Sequence, residues 1–211
     1  MGLILWSKNY DIDSDIIENV KNQIKNNQTL YDPILKYHTT FFSDSDNKPE
    51  LVLLDYYAKI IKKVTSEVSL FHRSNYIFPF WAQFYTNKSK KFREHDHFSG
   101  NEVLSWVHFL TQSSNKCFYF IDSDGNKNYP EQNKGDFIVF PSWALHAVDP
   151  PLEDERFIIA GNINLQAIQT QVDDNTSSER YYYKVANERI GLWEISIIKK
   201  SNKNKKGFST I

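Results

Sequence analysis

Two segments of the sequence decide the fold: REHDHFSGNEVLSWVHFL over residues 93–110 and GDFIVFPSWALHAVDPPLEDERFIIAGN over residues 135–162. Their apolar runs are short, rich in β-branched and aromatic residues, and divided by turn residues, which is typical of β-strands. The same two segments contain four of the six histidines of the chain, three of which are candidates for the chemistry below, and an arginine that opens an apolar run. The strands of the fold and its candidate chemical groups are therefore expected in one part of the chain.

Strand-like segments of this kind begin at Tyr76 and continue to Ile198. They are YIFPFWAQFY, EVLSWVHFL, KCFYFID, DFIVFP, RFIIAGNINL, RYYYKV and GLWEISII. Asp124 and Gly125 predict a hairpin turn, and residues 3–6 predict one further short strand near the N-terminus. Because the strands follow one another with no helix between them, the sequence predicts an antiparallel barrel or jelly roll.

Two amphipathic helices are predicted before this β-rich part. The first begins at Asp13 or Ser14, which can cap it, and its apolar residues recur at helical spacing up to about residue 26. The second covers residues 50–68 and is preceded by Pro49, a residue favoured in the first turn of a helix. Both apolar stripes are expected to pack against one face of a sheet. The predicted fold class is mainly β with two supporting N-terminal α-helices.

Length and composition predict one globular domain with a C-terminal extension. The chain has 211 residues and is 40% hydrophobic and 15% aromatic, which argues against disorder. We expect a jelly-roll domain with its N-terminal helices over residues 1–170, and a β-hairpin with a basic tail over residues 171–211. The net charge of −1 gives no clear nucleic-acid or membrane-surface signal.

The single cysteine, Cys117, excludes an intramolecular disulfide and a cysteine-based zinc site. The N-terminus does not resemble a signal peptide, and no apolar run approaches the ~20 residues of a membrane-spanning helix. We therefore expect a soluble protein in a reduced, cytoplasmic setting, or in the host cytoplasm if the gene belongs to a phage.

His95 and His97 are two residues apart, so on a strand both side chains would lie on one face. Two imidazoles on one face are half of a metal site, although surface or hydrogen-bonded histidines are the alternative. His146 follows the apolar strand that ends at Pro141, where the mouth of a barrel would lie. Three histidine ligands would leave open positions on a metal ion for substrate and dioxygen.

Arg156 opens an apolar strand ten residues after His146. A buried arginine without an anion is costly, and its forked donors suit a carboxylate held by two hydrogen bonds. An ion pair with Glu153 or Glu155 at the start of the strand is the alternative. Asn162, further along the strand, is a weaker candidate for the same site.

The order of HxH, GDFIVFPSWALHAV and then Arg156 resembles the Fe(II)/2-oxoglutarate-dependent oxygenases. The likeness covers roughly residues 76–164 and is nearest to the prolyl-hydroxylase-like branch, which includes small oxygenases of phages and bacteria. It implies a double-stranded β-helix, a jelly roll. It also implies that His95 and His146 bind Fe(II), that Arg156 binds the distal carboxylate of 2-oxoglutarate, and that Tyr85 contacts this co-substrate.

Two positions depart from the family pattern. The second metal ligand is usually a carboxylate, whereas this chain has His97; either His97 coordinates or the backbone bends so that Asp96 does. Strand geometry favours His97. Phe109 stands where prolyl hydroxylases often have a second co-substrate tyrosine, and the neighbouring His108 should face the other side of the strand.

The resemblance implies a dioxygenase that hydroxylates an unidentified substrate, a prolyl or other protein side chain or a small molecule. It would consume O2 and 2-oxoglutarate, release succinate and CO2, and be supported by ascorbate. One alternative is a three-histidine cupin-type dioxygenase that does not use 2-oxoglutarate. Another is a non-catalytic jelly-roll module that binds a ligand or partner.

The remaining features receive simpler interpretations. The segments RYYYKV and GLWEISII are expected to form a hairpin that covers the barrel, closes over substrate or pairs two subunits of a homodimer. The basic tail after Ile198 is interpreted as a solvated end or as a contact for an acidic partner. Core packing is expected for Trp81, Trp106 and Trp143, with a place in a pocket wall as the alternative. His38 and His72 are expected on the surface or in loops.

Overall fold

The fold is described from a computed structural model of the chain. The structure describes residues 3–43, 47–68, 75–98, 102–152, 155–166, 183–187 and 192–196. In these residues the helices are α1 (Ser14–Lys25) and α2 (Leu54–Val68). The first eight strands are β1 (Trp6–Asn9), β2 (Tyr31–Asp32), β3 (Tyr37–Thr39), β4 (Asn75–Ile77), β5 (Phe80–Tyr85), β6 (Phe92–His95), β7 (Glu102–Phe109) and β8 (Phe118–Ile121). The remaining strands are β9 (Lys127–Asn128), β10 (Asp136–Pro141), β11 (His146–Val148), β12 (Arg156–Gln166), β13 (Tyr183–Asn187) and β14 (Leu192–Ser196).

Both predicted helices are present, and their starts have identifiable causes. The Asp13 carboxylate caps α1 by accepting a hydrogen bond of 2.9 Å from the backbone N–H of Asp15. The second helix differs from the prediction in its first turn, because Pro49–Leu53 form a 3-10 helix that leads into α2.

Strands β1 to β12 form two facing antiparallel sheets, and β13 and β14 form a separate pair. The main sheet has the order β1-β10-β7-β12-β5-β3-β2, with β4 also paired to β12, and the minor sheet has the order β6-β11-β8-β9. Every pairing is antiparallel. Apart from the consecutive pairs β2–β3 and β8–β9, neighbouring strands in both sheets are distant in sequence, as in a jelly roll. The predicted double-stranded β-helix with two supporting helices is confirmed.

Each side of the main sheet has its own apolar core. On the outer side, which we call the helix-side cluster, the helices pack on alternate strand residues. Its members include Ile17, Val20, Ile24, Tyr57, Ile61, Val64, Trp106, Phe137, Phe157, Ile159 and Ile163. The opposite side, the inter-sheet cluster, faces the minor sheet. Its members include Trp81, Tyr85, Val107, Phe109, Phe118, Phe140, Val148, Ile158 and Ala160.

Strand β12 lies at the centre of the main sheet, between β5 and β7, and requires a glycine at one position. A Cβ on Gly161 would lie 2.5 Å from Trp106 Cζ2 and 2.6 Å from the carbonyl oxygen of Pro79. That carbonyl also accepts a hydrogen bond of 3.0 Å from the backbone N–H of Asn162. Glycine therefore allows the close approach that seats β12 against its neighbours.

Three boundaries differ from the predictions. The first strand lies at Trp6–Asn9 rather than residues 3–6, because the pairing with β10 selects this register. The segment YIFPFWAQFY is divided at Pro79 into β4 and β5, since a proline interrupts the ladder. Strand β6 ends at His95, so the HxH motif is only partly in a strand. The turn at Asp124 and Gly125 is present, and Gly125 has a φ of 82°.

Towards the C-terminus, β13 and β14 pair in antiparallel register from Tyr183↔Ser196 to Asn187↔Leu192. His72, the basic tail after Ile198 and most of residues 171–211 lie outside the described residues. The division at residue 170 and the role of this hairpin therefore stay predictions. Among the described helices, none is long and apolar enough to cross a membrane.

Candidate active site

Three histidines converge where the minor sheet faces the main sheet. His146 on β11 lies directly opposite His95 on β6, and their ring centroids are 4.3 Å apart. His97 follows the end of β6, but its backbone N–H donates to the carbonyl of Ser142 at 2.8 Å and continues the pairing. One ligand nitrogen from each ring lies within 4.8 Å of the others. These three residues, here called the histidine cluster, have the donor set of a transition-metal site.

Backbone carbonyls define the tautomers of two of these rings. His95 Nδ1 lies 2.8 Å from the carbonyl of Arg93, and His146 Nδ1 lies 2.8 Å from the carbonyl of Ala144. A carbonyl only accepts, so each Nδ1 must carry the proton and each Nε2 has a free lone pair. Hydrogen bonds of this kind from the Nδ1–H group orient metal-binding histidines and raise the basicity of Nε2.

Burial keeps the cluster neutral. Burial, with a smaller contribution from the neighbouring His95 imidazole, lowers the pKa of His146 to about 3 and that of His97 to about 4. Burial also lowers the pKa of His95. At neutral pH the three rings are therefore unprotonated, which is the form that binds a metal.

Asp96, the alternative second ligand, is not among the residues whose ligand atoms meet in the cluster. It is exposed, and its carboxylate accepts a hydrogen bond of 3.0 Å from the backbone N–H of Phe98. Trp81 instead stacks on His97, with ring centroids 5.9 Å apart. Asn162 is within hydrogen-bonding reach of the His97 ring and accepts from Ser105 Oγ at 2.9 Å. This arrangement brings His97 rather than Asp96 to the other two histidines.

Arg156 is the largest unsatisfied group of the described core. Its side chain is 2% exposed, and Nη1 and Nη2 have no hydrogen-bond partner among the described residues. Glu155 does not pair with it, because that carboxylate binds Lys25 and, at 3.1 Å, Lys21. Burial lowers the pKa of Arg156, but a guanidinium stays protonated in proteins. A buried cation is costly without an anionic partner, and the two free donors of the guanidinium match the two oxygens of a carboxylate.

Aromatic rings surround this guanidinium. Its Cζ lies 5.7 Å from the centre of the Tyr85 ring and 5.5 Å from that of Phe109. Tyr85 donates from its hydroxyl to Gln83 Oε1 at 2.9 Å, and Tyr37 stacks on Tyr85 at 5.0 Å between centroids. Burial raises the pKa of Tyr85 and raises that of Tyr37 to about 12, so both are neutral donors. Tyr37 was not predicted as a site residue, because it is one aromatic in a polar stretch without periodicity.

A cavity of about 970 Å³ connects these parts. The histidine cluster, Trp81, Gln83, Tyr85 and Asn162 line it, whereas Arg156 lies behind Tyr85 and Phe109. Ligand pockets commonly have volumes of ~300–1,000 Å³, so the cavity can hold more than one small molecule.

The other singled-out residues have different positions. Trp106 is buried in the helix-side cluster as expected, but Trp143 is 57% exposed, because it lies in the turn between β10 and β11. Core packing was therefore the wrong expectation for Trp143. His38 is a half-buried strand residue between the rings of Tyr31 and Phe84, not a surface group.

Comparisons with solved structures place this architecture among oxygenases. A Pseudomonas putida prolyl-4-hydroxylase matches with a TM-score of 0.57 at 14% identity, covering 77% of this chain and 92% of that one. The viral collagen prolyl hydroxylase of Paramecium Bursaria Chlorella virus-1, in a 2OG complex, matches with a TM-score of 0.53 at 14% identity, covering 77% and 97%. The non-heme alpha ketoglutarate dependent epimerase SnoN, from nogalamycin biosynthesis, matches at 0.52 and 11%, covering 81% and 85%.

No family model matches the sequence, and no curated protein matches it either. At identities of 11–14% the structural matches establish the fold. The chain thus has the double-stranded β-helix fold of the prolyl hydroxylases and other 2-oxoglutarate-dependent oxygenases.

Proposed function

We propose that the protein is an Fe(II)- and 2-oxoglutarate-dependent dioxygenase that hydroxylates a C–H bond of its primary substrate. The observation that carries the proposal is Arg156, a buried guanidinium whose forked donors have no partner among the described residues. The distal carboxylate of 2-oxoglutarate would satisfy both donors. The names of the structural neighbours support a prolyl or other protein side chain as one substrate class.

The residues present fit both groups. His95 and His146 would hold the iron through their Nε2 atoms and His97 through a ring nitrogen, and Arg156 would hold the far carboxylate of the co-substrate. With three neutral imidazoles the metal keeps its full charge, which favours an anionic co-ligand. When bound, iron and 2-oxoglutarate use O2 to convert a C–H bond to C–OH, with release of succinate and CO2.

The chain itself would orient the reactants and exclude water. The carbonyls of Arg93 and Ala144 hold two imidazoles in their ligand tautomers. Phe118, Val148 and Ile158 give the cavity an apolar wall near the cluster. A dry, preorganised wall protects a reactive oxidant from side reactions.

A three-histidine cupin-type dioxygenase that binds substrate directly on its metal is the second candidate. It is favoured by one observation: Arg156 lies behind Tyr85 and Phe109 instead of lining the cavity. In that case Arg156 would be structural, and 2-oxoglutarate would have no specific site.

Calorimetric titration of 2-oxoglutarate into the Fe(II)-loaded protein without O2 separates the candidates. We expect binding by the wild type and at least a 100-fold loss of affinity in Arg156→Gln, because the charged fork is replaced by a single neutral amide. Arg93→Gln is the matched control, since Arg93 is an exposed arginine on the cavity wall. Absence of 2-oxoglutarate binding by the wild type, or equal binding by Arg156→Gln, would contradict the proposal.

A further inference from the structure

Two further unsatisfied groups line the same cavity. Glu102 Oε2 and Asn164 Oδ1 are both buried, and neither has a hydrogen-bond partner among the described residues. Both atoms are acceptors, and one belongs to a carboxylate. Buried acceptors without a donor are costly, so they indicate where a ligand with N–H donors would bind.

The strand register places this pair at a defined distance from the metal cluster. Glu102 on β7 is opposite Asn164 on β12, and Asn164 Nδ2 lies 3.5 Å from Glu102 Oε1. Asn164 is two residues beyond Asn162, on the same face of β12, and Asn162 contacts His97. Since a strand rises ~3.4 Å per residue, the acceptor pair lies ~7 Å along β12 from the residue next to the cluster.

The other charged groups on the cavity wall are already engaged or exposed. Lys48 donates to the carbonyl of Thr40 at 3.0 Å, Asp96 accepts from a backbone N–H, and Arg93 is exposed. The indole N–H of Trp106, which also lines the cavity, is unpaired among the described residues too, but it is a donor and does not attract a cation. Glu102 and Asn164 are therefore the described cavity-lining residues whose buried acceptor atoms lack a hydrogen-bond donor.

Aromatic rings complete the wall. Phe41 meets both Trp81 and Phe42 edge-on, with ring centroids 4.9 Å apart in each case. Phe41 is 51% exposed and Phe42 is 71% exposed, and all three rings line the cavity. Aromatic faces attract ammonium and guanidinium ions, so this wall adds to the attraction of a carboxylate for a cation.

We propose that Glu102 and Asn164 form a subsite for the ammonium or guanidinium group of the primary substrate, in the same cavity as the Phe41 and Trp81 rings. The inference rests on the proposed function, because it assigns the substrate class of that same site. Such a substrate would present a carbon several bonds from its cationic group to the histidine cluster. A lysyl side chain, an arginyl side chain or a free aliphatic amine has a carbon at this separation from its cationic group.

Binding of matched probes to the metal-free full chain tests the subsite without relying on catalysis. The probes are N-acetyl-lysine amide, N-acetyl-arginine amide and N-acetyl-norleucine amide, the last having the lysine side chain without its ammonium group. NMR titration is expected to give at least tenfold tighter binding of both cationic probes than of the norleucine probe. Glu102→Gln should remove this preference, and Asn164→Leu should weaken it.

Glu131→Gln is the control, since Glu131 is an exposed carboxylate that pairs with Lys116 outside the cavity. Unfolding temperatures show whether each variant is folded, and Glu102→Gln should be about as stable as the wild type because it keeps the size and shape of the side chain. Equal or undetectable binding of all probes, or a preference that persists in Glu102→Gln, would overturn the proposal. The 2-oxoglutarate titration of Arg156→Gln is a separate measurement, so failure of the subsite and failure of the oxygenase function are distinguishable.

Discussion

Two buried histidines on opposite sides of the main sheet have different surroundings. His108, on the helix side, has partners on both nitrogens: the hydroxyl of Tyr57 and the carbonyl of Tyr10, each at 3.0 Å. His146, on the inter-sheet side, has a partner only on Nδ1, and no described residue bonds its Nε2. Burial lowers both pKa values, to about 4 and about 3. Burial and a shifted pKa are thus common to both, and the candidate metal ligand differs in that its ring also meets two other histidines.

The same contrast runs along one strand. The residues of β12 that face the helices, such as Phe157, Ile159 and Ile163, pack in an apolar core. The residues that face the minor sheet include Arg156 and Asn164, whose polar atoms lack described partners. One face of β12 is complete within the protein, and we propose that ligands complete the other. Unsatisfied buried groups in native proteins usually have such a functional explanation.

Removing a ligand from the histidine cluster should have the largest effect. His146→Ala is expected to reduce the affinity for Fe(II) by at least 100-fold, because it removes one of three converging donors. In the wild type, Fe(II) at 100 times its dissociation constant should stabilise the fold by ~2.7 kcal/mol, a rise in Tm of ~5–10 °C for a domain of this size. The measurement is anaerobic thermal unfolding with and without Fe(II).

His38→Ala is the matched control for that measurement, because His38 is a half-buried histidine outside the cluster. It should retain the full Fe(II)-dependent rise in Tm. If His146→Ala were stabilised by Fe(II) as strongly as the wild type, the contrast between satisfied and unsatisfied histidines would not describe metal binding.

Replacement of His108 should affect stability and its pH dependence but not metal binding. The folded-state pKa of about 4 lies below the ~6.5 of an unfolded histidine, so between these values the unfolded chain binds the extra proton. Stability therefore falls as the pH falls from ~6.5 to ~4, by up to ~1.4 kcal/mol per pH unit and ~3 kcal/mol in all. In His108→Leu, the part of this fall in stability that is due to His108 should be absent.

The comparison requires urea unfolding of the metal-free wild type and His108→Leu across this pH range. At pH 7 the variant should be less stable by ~1–3 kcal/mol, because the hydroxyl of Tyr57 loses its partner. The difference should shrink as the pH is lowered. A constant difference at every pH would show that His108 does not titrate as its burial predicts.

These two histidines also show how far sequence reasoning reaches. Alternation along a strand predicts that His108 faces away from Phe109, and the FPSWALH segment predicts His146 at the mouth of the fold. The HxH argument predicts one face for His95 and His97, and the rings do meet, although β6 ends at His95. Regular strands therefore allow side-chain directions to be read from spacing.

Features that depend on contacts between distant segments could not be predicted. Strand β1 is an edge strand whose residues after Trp6 are exposed, so no apolar alternation reports its position. Tyr37 reaches Tyr85 only through the pairing of β3 with β5. Glu102 meets Asn164 across an irregularity in the β7–β12 pairing. The local sequence pattern does not predict the register of these strand pairs, because packing between distant segments determines it.

The smallest expected effect lies on β12 itself, where adjacent residues face the two sides of the sheet. Asn162 contacts His97 and accepts a hydrogen bond from Ser105, whereas Ile163 is fully buried in the helix-side cluster. Residues that hydrogen-bond to a metal ligand typically contribute ~10–100-fold to the affinity for the metal. Asn162→Ala should therefore weaken Fe(II) binding by about tenfold, or ~1.4 kcal/mol.

Ile163→Val is the matched change one residue further along the strand. It should cost ~0.5–1.5 kcal/mol of unfolding free energy through the lost methylene, with Fe(II) affinity unchanged. Competition with a chromophoric chelator measures the affinity, and urea unfolding measures the stability. If both variants shifted affinity and stability in the same proportion, the two faces of β12 would act as one packed unit. Separate responses would mean that a single strand divides structural and chemical roles by the direction of its side chains.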